Sequence, residues 1–448
     1  MSKNLPLSLG EKTGYGLGDF GIGLLFHTTS IYLLIFYTDV FGISAIAAST
    51  LFLVARLWDA INDPIVGGIV DRTRSSWGKF RPYLLFGPIP LGIAGVLCFT
   101  VPDLSDVGKL IYAYVTYITF GMIYTLVAVP YSALTSSITM DSAERGALSG
   151  LRAMFTLMAG MLVASLPLLV TAFGGEDTAG GYQKSIMLFS ALMVACLFVT
   201  FYTTKERYSA PPQKQAISLA EIISILKTNR PLQIVCLAFV VSFGNMSIAG
   251  SVGTYFFTYN LGRPDLIPVF MLINVSTVFV GILICQLVQK KLEKKQIIIL
   301  GTLIGMIRPL SMYFPDINII LTGSVIGGIG QGFAVAVIWA FVADTIEYGQ
   351  YKTGQRNEGM TYALVGFFMK MGGALGAMIP GFVLNYTGYV PNVEQTELTL
   401  SGITMLCATI PLLLYGCFAL VMSRYPLDKK THDRIVCELE QRQATVNV

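Results

Sequence analysis

Residues 51–68 read LFLVARLWDAINDPIVGG, an apolar run that contains two aspartates. A helix needs about 20 apolar residues to cross a hydrocarbon core about 30 Å thick. In lipid, the backbone groups of such a run must be satisfied within the segment, which favours a helix. The stretch is therefore predicted to belong to a transmembrane helix. Acids inside such a helix are costly and usually mark functional positions.

Similar apolar runs recur along the whole chain of 448 residues, of which 54% are hydrophobic and only 12% charged. A soluble globular chain carries about 25% charged residues. We therefore predict an all-α membrane protein that has no separate soluble domain. Its twelve predicted transmembrane helices lie at 11–38, 43–70, 83–102, 109–137, 147–172, 184–204, 231–259, 266–289, 296–314, 317–345, 359–385 and 401–423.

The longest polar interruption, 205–230, divides these helices into two sets of six. We predict an N-terminal six-helix bundle over 1–204, a cytoplasmic linker over 205–230, and a C-terminal six-helix bundle with a short cytoplasmic tail over 231–448. A short surface helix is expected at 218–228. Two sets of six helices are typical of transporters built from two repeats.

Lysine and arginine are concentrated in alternate loops, which predicts that these loops and both termini face the cytoplasm. The net charge of +4 is explained by this asymmetry, so we do not predict a nucleic-acid partner. The expected location is the cell (inner) membrane. The basic residues of these loops and of the tail are Arg72, Arg74, Lys79, Arg81, Lys205, Arg207, Lys214, Lys227, Arg230, Lys290, Lys291, Lys294, Lys295, Lys352, Arg356, Arg424, Lys429, Lys430, Arg434 and Arg442.

Asp59 and Asp63 are four residues apart and share one face of the second predicted helix. Arg56 and Asn62 lie close to the same face. Two adjacent carboxylates repel each other unless a cation or proton lies between them. Because two acids face one base, we predict a site for a monovalent cation such as Na⁺, or for a proton. The alternative is a structural Arg56–Asp59 pair with Asp63 near the headgroups.

Other polar or aromatic residues in apolar helices are candidates for a substrate cavity. Thr125 could complete the cation shell, although Ser and Thr also pack between membrane helices. His27 is more often a packing residue than a ligand, and Trp339 could equally be an interfacial anchor. The cavity candidates are Asp19, His27, Tyr124, Arg152, Trp339 and Lys370.

Several chemistries are not predicted. His27 and His432 are too few and too far apart for a histidine-based metal site, and no catalytic constellation or cofactor motif is present. The glycines at 328–332 are expected to serve close helix packing. The seven cysteines have no paired spacing, which argues against a disulfide framework. An enzyme is therefore not expected.

The chain resembles the glycoside–pentoside–hexuronide:cation symporters of the major facilitator superfamily, the family of melibiose permease. The resemblance implies the fold of that superfamily, with two six-helix bundles, alternating access and function as a monomer. From residue 329 onward the chain is most similar to glucuronide carriers. The matching stretches are YGLGDFG (15–21), FYTDVFGIS (36–44), TLFLVARLWDAINDPIVGGIVDRTRSSWGKFRPYLLFG (50–87), VADTIEYGQYKTGQRNEG (342–359) and GYVPN (388–392).

The resemblance also implies roles for individual residues. The family's coupling-cation site matches Asp59, Asn62, Asp63 and Thr125, with Asp59 and Asp63 holding Na⁺ if sodium is the coupling ion. Its cavity residues match Tyr124, Arg152 and Lys370. The carboxylates that hold galactosides in melibiose permease are replaced here by Gly23 and Ala128, and its two stacking aromatics by Ser132 and Val335.

These features predict a symporter that imports a glycoside together with Na⁺ or H⁺. Arg152 and Lys370 are kept while Gly23 and Ala128 replace acids, which predicts an anionic substrate such as a uronic acid or its glycoside. The alternative is that Asp19 neutralises one of the two bases. Other open alternatives are a neutral-oligosaccharide or pentoside symporter, a carrier of lysolipids or other amphiphiles, and a membrane sensor.

Overall fold

The computed structural model describes residues 7–139, 142–207, 219–354 and 358–446, which are helical and contain no strand. The first half of the chain forms α1 Leu9–Ile35, α2 Ala45–Arg72, α3 Arg81–Phe86, α4 Pro88–Cys98, α5 Asp106–Ile138, α6 Ser142–Ala164, α7 Leu166–Gly174 and α8 Thr178–Thr203. The second half forms α9 Leu219–Thr228, α10 Arg230–Tyr255, α11 Ile267–Val288, α12 Lys294–Gly305, α13 Ile307–Ser311, α14 Ile317–Thr353, α15 Glu358–Tyr386, α16 Glu397–Thr404, α17 Ile410–Ser423 and α18 Lys429–Val446.

Three short π-helical segments interrupt or extend this pattern, at Phe36–Phe41, Phe256–Asn260 and Met405–Thr409. The first follows α1 directly and the second follows α10 directly. Segments of this type are uncommon and often occur at functional sites. A single 3₁₀ turn, Pro264–Leu266, precedes α11.

Each of the twelve predicted transmembrane segments is helical over most of its length. Within the described residues, ten helices are long and apolar enough to span a membrane. The predicted third and ninth helices are each divided into two shorter pieces, so they are not among the ten. The breaks lie beside Pro88 and Pro309, because proline lacks an N–H for the helical ladder.

The structure extends the helical content beyond the sequence prediction at the end of α14 and in the tail. Helix α14 continues to Thr353, well beyond the predicted end at 345, and stops where Gly354 adopts φ 72°. The tail, predicted only as short and cytoplasmic, contains the helix α18. The short helix expected at 218–228 is confirmed as α9.

The chain divides into two compact units. The first comprises Met1–Lys214, Gly253–Met271 and Pro380–Thr399; the second comprises Gln215–Val252, Leu272–Ile379 and Leu400–Val448. Two segments from the second half of the sequence therefore belong to the first unit. The predicted division at 205–230 remains a prediction.

In the first unit, α1 packs against α6 and α8, and α2 packs against α5. Glycines allow the close approach of α1: a Cβ on Gly21 would lie 3.1 Å from the carbonyl oxygen of Met193 on α8. Small residues play this part wherever membrane helices touch. The α1–α8 contact fixes the orientation of Asp19 and His27, and the α2–α5 contact fixes that of the two helix α2 acids.

In the second unit, α14 packs against α12 and α13. A Cβ on Gly330 would lie 2.5 Å from the carbonyl oxygen of Gly301, and one on Gly328 would contact Thr277 of α11. The glycines at 328–332 thus serve close helix packing, which confirms that prediction.

Candidate functional site

The two acids of α2 lie against α5 in the first unit. Thr125 Oγ1 donates a hydrogen bond to Asp63 Oδ1 at 3.2 Å. The carboxylate of Asp59 packs on Gly121, where a Cβ would lie 3.0 Å from Asp59 Oδ1. The structure therefore brings Asp63 and Thr125 together across two helices, a contact that the α2 sequence alone does not contain.

Arg56 and Asn62 complete this polar face. Arg56 Nη1 lies 3.7 Å from Asp59 Oδ2, and both side chains retain partial exposure. Asn62 is buried, and its Nδ2 has no hydrogen-bond partner among the described residues. Rotation of the Asn62 amide exchanges its oxygen and nitrogen, so the oxygen can take the place of Nδ2. Carboxylate and amide oxygens are thus available on neighbouring turns of α2, with a hydroxyl from α5 beside Asp63, and such oxygens are the ligands of hard cations.

Arg152 of α6 is paired with Asp19 of α1. Its Nε donates to Asp19 Oδ2, and its Nη2 donates to Asp19 Oδ1 at 3.4 Å and to Ser132 Oγ at 3.3 Å. The guanidinium also lies 5.0 Å from the ring centroid of Tyr131. Arg152 therefore already has a carboxylate partner within the protein, which was the alternative left open by the sequence.

Tyr124 of α5 is close to both charged pairs. Its hydroxyl interacts electrostatically with Arg56 and Asp59 and also with Asp19 and Arg152. Its ring stacks on Phe26 of α1, with ring centroids 5.9 Å apart. The predicted cation residues and the predicted substrate residues of the first unit are consequently neighbours.

His27 is half-buried on α1, and its ring contacts the edge of Phe26 at 5.6 Å. It forms a hydrogen bond with the backbone of Thr156, whereas its Nε2 has no partner among the described residues. Cβ atoms on Gly23 and Gly160 would each lie 3.8 Å from the ring. A Cβ at either position would therefore make only an ordinary van der Waals contact with the imidazole.

Trp339 and Lys370 lie in the second unit. Trp339 is 45% exposed, and its ring contacts that of Phe239 at 5.1 Å. Lys370 is exposed on α15. These two predicted residues therefore belong to the second compact unit, whereas Asp19, Tyr124 and Arg152 belong to the first.

The sequence analysis assigned no role to three further polar groups. Asp39 lies in the π-helical segment after α1 and accepts several hydrogen bonds. Arg308 of α13 is buried, and Gln331 at 3.1 Å is its one side-chain partner in the described part of the chain. Both Asp39 and Arg308 are ionisable groups inside apolar runs, and this signal is visible in the sequence. Neither residue was predicted to have a function.

The third group joins α18 to α14. Asp344, Glu347 and His432 offer ligand atoms within 4.8 Å of one another. Lys294 Nζ contacts both Asp344 oxygens, at 2.6 and 2.7 Å. His432 therefore lies close to two acids, although the sequence prediction considered it only together with the distant His27. Lys294 already neutralises Asp344, so we interpret the cluster as a structural contact between α14 and α18.

Comparison with known proteins places the chain among membrane transporters. The profile of the family described as MFS/sugar transport protein matches residues 14–429. The chain is 41% identical to an uncharacterized symporter, YnaJ, of Bacillus subtilis, over 99% of this chain and 97% of the relative. It is 33% identical to the isoprimeverose transporter of Lactiplantibacillus pentosus, over 98% and 92%.

A third relative, the glucuronide carrier protein homolog of Escherichia coli, is 34% identical over 98% of this chain and 97% of its own length. Among solved structures, the D-xylose-proton symporter superposes with a TM-score of 0.64 at 14% identity, covering 94% of this chain and 98% of that one. The nucleoside transporter NupG gives 0.64 at 12% identity, covering 93% and 100%. At these identities the structures establish the fold alone.

Proposed function

The chain belongs to the MFS/sugar transport protein family, and from this premise we propose that it imports a sugar or glycoside together with a monovalent cation by alternating access. The family and the fold predicted from the sequence are confirmed, and the protein is a multi-pass membrane transporter. Relatives named as isoprimeverose transporter and glucuronide carrier homolog support a glycoside as the substrate. We further propose that it works as a monomer in the cell membrane with both termini in the cytoplasm.

The observation that carries the proposal is the oxygen cluster on α2 and α5. Asp59, Asn62 and Asp63 place carboxylate and amide oxygens on neighbouring turns of α2, and Thr125 adds a hydroxyl from α5. A proton requires only one carboxylate, whereas a metal cation benefits from the additional oxygens. We therefore propose Na⁺ as the coupling ion, with H⁺ as the alternative.

Cation and substrate binding would be coupled through Tyr124. A change in charge at Asp59 alters the electrostatic environment of this hydroxyl, and so does a ligand bound beside Arg152. Binding linkage is reciprocal: each ligand raises the affinity for the other by the same factor. The cation gradient then drives substrate accumulation against a concentration gradient.

For the substrate, the Asp19–Arg152 pair favours a neutral glycoside. A paired carboxylate and guanidinium offer both acceptors and donors to sugar hydroxyls, and the pair has no net charge. A uronide remains the second candidate, because guanidinium binds carboxylates in bidentate fashion and a relative is named as a glucuronide carrier homolog. A lysolipid is disfavoured, since an apolar cleft would not contain two ion pairs.

The test is a counterflow screen of labelled sugars in proteoliposomes, with and without Na⁺ and at several external pH values. We expect Na⁺ to stimulate uptake of at least one neutral glycoside. A matched pair, such as a glucoside and the corresponding glucuronide, tests the two substrate candidates by competition. If no sugar in the screen exchanges with or without Na⁺ or a pH gradient, the proposed function is wrong.

Replacing Arg152 with Gln separates the two substrate candidates further. For a uronide, this substitution should weaken the charged ligand far more than the neutral one, because only the former loses a charge-assisted contact. For a neutral glycoside, both ligands should lose affinity alike. The measurement is the inhibition constant of each sugar in the same vesicles.

A further inference from the structure

The π-helical ends of α1 and α10 meet around a single carboxylate, that of Asp39 in the first unit. Tyr259 donates to Asp39 Oδ2, Tyr389 donates to Oδ1 at 2.6 Å, and Thr38 Oγ1 lies 2.5 Å from Oδ1. Asn392 Nδ2 donates to the backbone oxygen of Asp39 at 2.7 Å. Two stretches that carried the family resemblance, FYTDVFGIS and GYVPN, therefore meet at one point.

The hydroxyl protons of this group can be assigned without conflict. Each hydroxyl has one proton to donate. Tyr255 can donate to Thr38 at 2.7 Å and Thr38 to Asp39, while Tyr259 and Tyr389 donate to Asp39 directly. The backbone N–H of Asn392 donates to the oxygen of Tyr259 at 3.1 Å. Each hydroxyl thus donates its proton to Asp39 directly or through Thr38, which is the arrangement that an ionised Asp39 requires.

Tyr389 is positioned by its turn. Gly388 has φ 75°, a conformation that favours glycine, and reverses the chain after α15; Asn392 has φ 59°. Burial, followed by the charge of Asp39, raises the pKa of Tyr389 well above the ordinary value of tyrosine. The phenol therefore remains a proton donor throughout the physiological pH range.

We infer that Asp39, Tyr259 and Tyr389 form the extracellular gate of the transporter. The inference rests on the proposed function, because alternating access requires the pathway to close on one side. The loops after α1, α10 and α15 are all extracellular in the predicted topology. Asp39 lies twelve residues beyond His27, or about 18 Å along a helix, toward the extracellular side. Opening exchanges the hydrogen bonds to Asp39 for water, and closing re-forms them.

The gate also explains where the π-helical segments occur. Both follow the first helix of a six-helix set, and both carry a gate residue, Asp39 in Phe36–Phe41 and Tyr259 in Phe256–Asn260. Such segments widen a helix and leave carbonyl groups less firmly bonded, which is why they recur where helices must rearrange. The third π-helical segment, Met405–Thr409, carries none of these residues.

The experiment measures access from outside the cell to a position on the inner side of the gate. Ser30 is exposed on α1, four residues after Phe26, so it shares the helix face that contacts Tyr124. In a chain whose seven natural cysteines are replaced, Ser30→Cys is labelled in intact cells with a membrane-impermeant thiol reagent. Labelling after solubilisation gives the total.

The parent should react slowly. Asp39→Asn should raise the labelling rate about tenfold or more, because an amide cannot accept from three hydroxyls as a carboxylate does. Tyr389→Phe keeps the ring and removes one donor, so a smaller rise of about threefold is expected. Asp265→Ala is the control: Asp265 pairs with Arg263 in the same unit, but the pair is exposed and lies outside the gate.

The inference is overturned if the parent is already labelled rapidly, or if both gate variants, shown to be folded by their thermal transitions, react at the parental rate. A rise in Asp265→Ala equal to that in Asp39→Asn would also overturn it. No sugar is needed for labelling. A parent that transports no sugar would therefore refute the proposed function while the labelling rates still decide the gate.

Discussion

The acids of α2 and the acids of α14 are held in different ways. On α2, Asp63 contacts Thr125 at 3.2 Å and Asp59 lies 3.7 Å from Arg56. On α14, Asp344 is buried, and both its oxygens bind Lys294 at 2.6 and 2.7 Å. Glu347 Oε2 lies 2.5 Å from His432 Nε2. The α2 set has one arginine for two acids on its own helix face, whereas the α14 set bonds directly to a lysine and a histidine.

The difference distinguishes an exchangeable charge from a structural one. Short, charge-assisted bonds join α14 to α12 and α18 and need no further partner. On the α2 face two carboxylates accompany one guanidinium, and the remaining negative charge is one that a cation can balance and then leave, as a transport cycle requires. We therefore expect substitutions on α2 to abolish coupling, and substitutions in the α14 cluster to affect stability.

The largest effect is expected for Asp63→Asn. Removing half the negative charge of the α2 pair should abolish cation-driven accumulation, while downhill exchange persists. The measurement is uptake in vesicles with and without a Na⁺ gradient. Asp103→Asn, the same change at an exposed loop position, is the control and should behave as the parent does. Accumulation by Asp63→Asn at the parental level would mean that the cation site lies elsewhere.

The next prediction concerns the Asp19–Arg152 pair, which resembles the α14 cluster in its contacts but adjoins the substrate neighbourhood. Asp19→Asn and Arg152→Gln should each lower substrate affinity about tenfold or more, because each leaves one charge of the pair unpartnered. The double variant should bind substrate only slightly less tightly than the single variant with the lower affinity. The coupling energy between the two substitutions is then about 1–3 kcal/mol. Binding constants of all four proteins provide this cycle. Strictly additive losses would mean that the two residues act independently.

A smaller effect is expected in the α14 cluster. Lys294→Met should lower the free energy of unfolding by about 1–3 kcal/mol, because the buried Asp344 loses its ammonium partner. Transport per folded molecule should stay unchanged. Arg434→Gln disrupts a pair on α18 that is largely exposed, so it should cost at most about 0.5 kcal/mol. Thermal unfolding in detergent measures both. If Lys294→Met lost transport yet kept its stability, the distinction between the two sets of acids would fail.

The sequence predicted most of the fold because lipid restricts what a long apolar run can do. It predicted the α2 acids as a pair for the same reason: four residues bring two side chains to one face. The Thr125–Asp63 contact joins residues 62 positions apart, so the residues alone left Thr125 as one of two alternatives, and the family resemblance favoured it as part of the cation site. Asp19 was left as one of two possible partners for Arg152, since helix contacts decide that question.

The groups that the sequence analysis missed depend on long-range contacts. Asp39 accepts hydrogen bonds from Tyr259 and Tyr389, which are 220 and 350 positions away in the sequence. No local sequence pattern predicts contacts over such distances. Helix breaks were missed for a different reason. Pro88 and Pro309 lie in apolar runs that hydropathy alone predicts to be continuous helices. Hydropathy is averaged over many residues, so it does not detect the loss of a single backbone N–H.

The last prediction concerns orientation, on which the assignment of the gate to the extracellular side depends. The loop after α2 should be cytoplasmic, because Arg72, Arg74, Lys79 and Arg81 lie in or beside it. It is an ordered loop: Glu206 accepts hydrogen bonds from the backbone N–H groups of three successive residues, 79, 80 and 81, at 2.7–2.9 Å.

Ser75 is exposed in this loop, so a Ser75→Cys variant in the cysteine-free chain reports its side of the membrane. We expect no reaction with an impermeant thiol reagent in intact cells and full reaction in inverted vesicles. Because Lys294 belongs to the same set of basic loops, strong labelling from outside would place the α14 cluster outside as well. Asp39 would then be a cytoplasmic group and could not form an extracellular gate.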